Sequence, residues 1–181
     1  MTHNTISRRG LLQGATLTLG AAALLQQTFR PAPAYAQSGD LPAGTIHSFA
    51  TGGVTFHTYV SPAQAVHVTA HIVEFHDQLL LVDSTFIPPT AQEVAGAMAS
   101  TGKPVGMAVL SHDHPDHWSA ADFYEGIQFA TLPAIREAVI AEASAGDGAA
   151  PANIANGPDL AIGMSEMAGV PVEFRHYENA E

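Results

Sequence analysis

Six consecutive apolar residues, Val105-Gly106-Met107-Ala108-Val109-Leu110, run straight into Ser111-His112-Asp113-His114-Pro115-Asp116-His117-Trp118. An apolar run of this length, opened by Lys103-Pro104 and closed by a polar cluster, reads as a buried strand. The His/Asp cluster therefore sits where a core strand emerges into a loop. Side chains able to bind a metal are held there at the tip of a rigid element, which is how a site gains precision.

His112 and His114, two positions apart, can converge on one cation if the loop curls. Asp116 and His117, adjacent in the chain, can present donors to a second cation. Imidazole and carboxylate suit zinc, and also iron or manganese. Two such cations about 3.5–4 Å apart suit hydrolysis by a bridging hydroxide. Pro115 fixes one φ in the loop and lowers the entropy lost on ordering it. A lone histidine in a turn would read as merely solvated; three histidines and an aspartate at this spacing after a strand read as a metal site.

The stretch resembles the signature of the metallo-β-lactamase superfamily, the αββα-sandwich metallohydrolases. The resemblance implies an α/β fold in which His112 and His114 bind a first metal and Asp116 and His117 a second. Zinc is the expected metal, with two ions in the complete domain. Asp116 is then also the catalytic carboxylate that orients the hydroxide, while Asp113 and Pro115 occupy variable positions. Members hydrolyse β-lactams, lactones, thioesters, sulfate esters or phosphodiesters, and some are iron oxidoreductases. The Asp after the apolar strand Gln78 to Asp83 corresponds to one that sits beneath the metal loop and orients it. Read from chemistry alone, Asp83 is either an acceptor for an imidazole N–H or a turn residue that ends the strand.

The resemblance covers Thr45 to Glu181, the first half to two-thirds of the usual domain, and the later elements bearing a bridging Asp and a last His are missing. A truncated coding sequence or fragment is the expectation, with one apolar sheet face left open. The third ligand of the first metal follows the last strand in the family. Asn179-Ala180-Glu181 resembles its acidic version, so Glu181 is the candidate and His176 its competitor.

Residues 1–36 stand apart from the domain, which spans 37–181. Ser7-Arg8-Arg9-Gly10-Leu11-Leu12 looks like a twin-arginine motif, an apolar run from Leu11 to Leu25 follows, and Ala34-Tyr35-Ala36 is an A-x-A cleavage site. The run is broken by Gln13 and Gly14 and is too weakly apolar for a stable membrane span. The expectation is export by the twin-arginine translocase to the periplasm or beyond, without lasting membrane association. Past residue 36 only Lys103, Arg136 and Arg175 oppose all 17 acidic residues, a formal charge of −14. Such a surface repels nucleic acid and anionic membranes; a small-molecule substrate is what the family resemblance implies. The chain has no Cys, which excludes disulfides and thiolate ligands.

Alternation predicts strands at Thr45 to Phe49, Val54 to Val60, Val66 to Phe75 and Gln78 to Asp83, with a turn at Gly52-Gly53. His57, His67 and His71 read as strand-face or surface histidines. A helix is expected over Thr90 to Ser100, with Val94, Ala97 and Met98 on its stripe, and it joins two strands as a β-α-β unit. Ser119 is expected to cap a helix running through Phe123, and Trp118 to pack the loop. A short strand at Gln128 to Ala130, a helix over Ala134 to Ala143 and a strand at Val170 to Phe174 follow. Ser144 to Asp159, small, polar and rich in Gly and Pro, reads as a long flexible loop.

Two functions fit these residues. One is an exported metal-dependent hydrolase that turns a metal-activated water on an ester, amide or sulfate-ester-like bond. The other is a non-hydrolytic periplasmic metal-binding or accessory protein, or an inactive fragment of the hydrolase.

Overall fold

The computed structural model describes residues 41–177. The signal and cleavage motifs of residues 1–36 lie outside the described residues. Six strands form one mixed sheet in the order β1 to β6: Thr45–Thr51, Val54–Val60, Thr69–Glu74, Leu79–Val82, Val105–Val109 and Phe129–Ala130. The first four make an antiparallel meander; β4, β5 and β6 run parallel. Thr51 pairs with Val54, so Gly52 and Gly53 form the two-residue hairpin loop, both at positive φ (58° and 81°). Glycine takes that conformation without a Cβ clash, and the loop's twist matches that of the strands.

Helix α1 (Pro88–Ser100) carries the chain from β4 to β5. Pro occupies its first turn, where a missing N–H costs nothing. Thr90, Ala91, Val94, Ala95 and Met98 are buried, a stripe of helical period, with the expected Ala97 at its partly buried margin. That stripe meets Tyr59, Ala70, Ile72, Leu81 and Ala108 from one face of the sheet. The opposite face, with Val54, Phe75, Leu80 and Val109, meets Met167 of a separate two-stranded sheet. That sheet is the antiparallel hairpin β7 (Gly163–Met167) and β8 (Val170–Phe174). Ala108 packs on the helix side and Val109 on the hairpin side, so β5 is apolar throughout because both its faces are covered. The hairpin thus occupies part of the sheet face expected to stand open.

Three expectations change. Strand β3 begins at Thr69 rather than Val66, because Ala63–Ala65 forms a 3-10 turn and Val66 and His67 follow it at φ 58° and 54°. A left-handed pair cannot continue a strand. The segment from Ser144 to Asp159 is packed rather than a free loop. Helix α3 (Pro133–Ala145) runs into it, and a short helix α4 (Ala152–Ala155) buries Ile154 completely. Asn153 Nδ2 donates to the Ala121 carbonyl at 2.7 Å, and Arg136 donates to the carbonyls of Ile154 and Pro158 and to Asp159. Strand β7 was not foreseen either, since Gly-Met-Ser-Glu-Met lacks β-branched residues and is a strand only through its pairing with β8.

Candidate metal centre

Strands β4 and β5 are parallel neighbours, so their C-terminal ends open side by side. After Val82 the chain turns through Asp83 and Thr85, both at positive φ (64° and 74°), with Ser84 between them. All three are polar and buried, at 3%, 0% and 0% exposure, so each needs internal partners. Asp83 N–H donates to the Val109 carbonyl at 2.9 Å. Ser84 donates to the His117 carbonyl through both N–H (2.8 Å) and Oγ (3.1 Å). Thr85 Oγ1 accepts from Thr90 Oγ1 at 2.8 Å, and Tyr124 OH donates to the Ser84 carbonyl at 3.1 Å. The turn is a satisfied floor for the loop above it.

That loop leaves β5 at Leu110, whose N–H donates to the Ala130 carbonyl at 3.0 Å. His114 is extended (φ −67°, ψ 135°), and Pro115 opens a single helical turn, α2 (Pro115–Trp118). Ser119 is therefore the residue after a helix and not the cap before one; proline's fixed φ starts the turn four residues earlier than the serine. The turn brings His117 back over Asp83. The buried Trp118 donates from Nε1 to the Asp113 carbonyl at 2.7 Å and holds the loop closed, as expected for a packing residue.

Asp83 is the hub. Its Oδ1 accepts from Ser111 N–H at 2.8 Å; its Oδ2 accepts from Ser111 Oγ at 2.8 Å and from His117 Nδ1 at 2.9 Å. A proton committed to Nδ1 leaves Nε2 of His117 as the free lone pair, the arrangement a metal-binding imidazole needs. Of the two readings of Asp83, the imidazole acceptor is the one observed.

Asp83, His112 and His117 can each bring one donor atom within 4.8 Å of the other two. The His112 and His117 rings lie 4.1 Å apart between centroids, and His114 stands edge-on to His112 at 4.7 Å. Asp116 Oδ2 is 3.6 Å from His117 Nε2. His114 and Asp116 thus flank the three-residue convergence without joining it. His117 has its pKa raised above the usual imidazole value by the hydrogen bond to Asp83, which outweighs burial. His112 has its pKa lowered, first by burial and then by His117 and His114. A set of two imidazoles with carboxylates beside them fits a zinc-type divalent cation. With three donors already on its two oxygens, Asp83 serves the set better as an orienting group than as a ligand.

Glu181 lies outside the described residues. His176 is exposed and lines a cavity of about 370 Å³ together with Ser111, Leu110, Val109 and Phe174, so the segment after β8 passes beside the loop. His57 bridges Ser48 Oγ (2.7 Å) and Glu74 Oε2 (3.0 Å), and His71 Nδ1 meets Thr58 Oγ1 at 3.1 Å, strand-face roles as expected. The residue that sequence reasoning passed over is Ser111, whose place at the strand tip directly before His112 was the available signal.

No protein-family model matches the sequence, and no curated protein matches it. Solved structures do match. A metallo-β-lactamase from Pontibacter korlensis aligns at TM-score 0.50 and 17% identity, over 71% of this chain and 59% of that one. TMB-1 aligns at TM-score 0.50 and 12% identity, over 71% and 57%. FIM-1, a metallo-β-lactamase from Pseudomonas aeruginosa in a mono-zinc form, is 26% identical at TM-score 0.48, over 67% of this chain and 52% of that one. The alignments to the Pontibacter korlensis enzyme and TMB-1 show that the chain has the α/β fold of the metallo-β-lactamases, and it spans between half and three-fifths of the length of these structures.

Proposed function

We propose that this chain carries the metal-binding loop of an exported, metal-dependent hydrolase of small molecules, acting on an ester, amide or sulfate-ester-like bond. The observation that supports it is the convergence of Asp83, His112 and His117 at the tips of two parallel strands. His112, His114, Asp116 and His117 are the proposed ligands, with Glu181, or His176 in its place, completing the first site. Zinc suits these donors, in two ions for the full set; iron and manganese suit them too. Divalent cations so held supply Lewis acidity and a water nucleophile active near neutral pH. The chain's own part is to present the imidazole lone pairs through Asp83 and to orient the attacking water with the Asp116 carboxylate. Twin-arginine export to the periplasm or beyond, and the absence of nucleic-acid partners, belong to the same proposal and rest on residues 1–36 and the acidic composition.

Replacing His112 and His114 together by Ala in the full-length gene product should abolish bound metal and turnover; retained turnover ends the proposal. Glu181→Gln should lower metal occupancy while His176→Ala leaves it unchanged, and the reverse result transfers the role to His176. A non-hydrolytic metal-binding protein is the second reading, favoured by the single three-donor convergence among the described residues. Metal stoichiometry separates them: two tightly held ions support the hydrolase, one weak ion the binder.

A further inference from the structure

We infer that the Ser111 hydroxyl is a positioning group that relays the Asp83 carboxylate to His112, so that one buried anion orients both His112 and His117. The inference rests on the proposed metal centre and adds to it the device that aims two of its imidazoles.

The direction of each hydrogen bond follows from what the groups can donate. A carboxylate has no proton to give, so the Ser111 O–H must point to Asp83 Oδ2, 2.8 Å away. With that proton spent, Ser111 Oγ meets His112 Nδ1 at 2.8 Å only as an acceptor. His112 therefore carries its proton on Nδ1 and leaves Nε2 as the free lone pair. His117 reaches the same end directly, donating from Nδ1 to the same Oδ2 at 2.9 Å. Two rings 4.1 Å apart thus share one tautomer and one anchor. Among the described residues Ser111 is the hydrogen-bond partner of the His112 ring, so without its hydroxyl no other group among them holds that tautomer.

The backbone keeps the loop in place independently of the hydroxyl. Ser111 N–H donates to Asp83 Oδ1 at 2.8 Å whatever side chain stands at 111. The Ser111 side chain is exposed, so its truncation opens no cavity. Ser111→Ala removes the relay and leaves the fold; Ser111→Thr restores a hydroxyl.

Two measurements on the full chain test this. In zinc competition against a chromophoric chelator, Ser111→Ala should bind about 10- to 100-fold more weakly, the usual effect of losing a hydrogen-bond partner of a ligating imidazole, and Ser111→Thr should bind like the wild type. In nitrogen–proton correlation spectra of the metal-free chain, the His112 ring should report an Nδ1–H tautomer in the wild type and in Ser111→Thr, and a mixture in Ser111→Ala. The His117 ring should not change. A Ser111→Ala chain with wild-type zinc affinity and an unchanged His112 spectrum overturns the relay. If the wild type takes up no zinc, the metal-centre reading fails, and the ring spectra still decide whether Ser111 sets His112.

Discussion

Replacing Asp83 by Ala removes three hydrogen bonds from the floor of the metal loop at once. The bond from His117, partly buried and made to a charged acceptor, is worth about 2 kcal/mol. The two from Ser111 are worth about 0.5 kcal/mol each, because Ser111 is exposed and water takes over its donors. Asp83 also sits at φ 64°, a left-handed conformation that Asp and Asn tolerate and that costs Ala about 1 kcal/mol more. Relief of the buried carboxylate's desolvation offsets about 1 kcal/mol, so the net loss is about 3 kcal/mol. Asp83→Asn keeps the backbone preference and one carbonyl acceptor, and should lose about half as much.

Urea unfolding of the metal-free chain measures both. With a slope of about 2 kcal/mol per molar, the Ala midpoint falls by about 1.5 M with the slope unchanged. The pH dependence carries a sign. Because the His117 pKa is raised, its pairing stabilises fully below the ordinary imidazole pKa and fades as pH rises through the raised one. The wild type's margin over Asp83→Asn should therefore be larger near about pH 6 than near about pH 8. An Ala variant within about 0.5 kcal/mol of wild type, or an Asn variant as unstable as Ala, refutes the hub assignment.

Glu74 accepts from Lys103 Nζ (2.7 Å) and His57 Nε2 (3.0 Å), and Lys103 before His57 holds its pKa below the usual carboxylate value. Its contribution is present above the ordinary glutamate pKa and lost as pH falls through the depressed one; the stability gap between wild type and Glu74→Gln should close on acidification in urea titrations, and a gap that widens refutes the pairing. Gly157→Ala would drive a Cβ into the Phe129 carbonyl and to 2.9 Å from the Asn153 carbonyl, backbone atoms that cannot rotate away. It should cost about 2 kcal/mol in thermal or urea unfolding, and a neutral result would mean that α4 is not packed as described.

The meander and the strand tip were legible because alternation is a local signal. Val54 to Val60 reads as a strand in sequence and is one, with Val54 and Phe56 on one face and Tyr59 on the other. The β4-α1-β5 unit was legible too, since its apolar runs and prolines mark their own ends. Val66 and His67 misled the reading because their alternation continues that of β3 while their backbone is left-handed. Ser144 to Asp159 misled it because small residues look like a linker until Ile154 and Asn153 find a core to enter.

The sequence by itself determined that donors gather at the end of a buried strand, since three histidines and an aspartate at that spacing follow an apolar run whatever the rest of the chain does. Only the tertiary structure decided how those donors are aimed. Asp83 and His117 are 34 positions apart and meet because β4 and β5 pair in parallel and Pro115 starts a helical turn. Hydrogen-bond direction depends on atoms a few ångströms apart in space, and no local pattern along a chain encodes it.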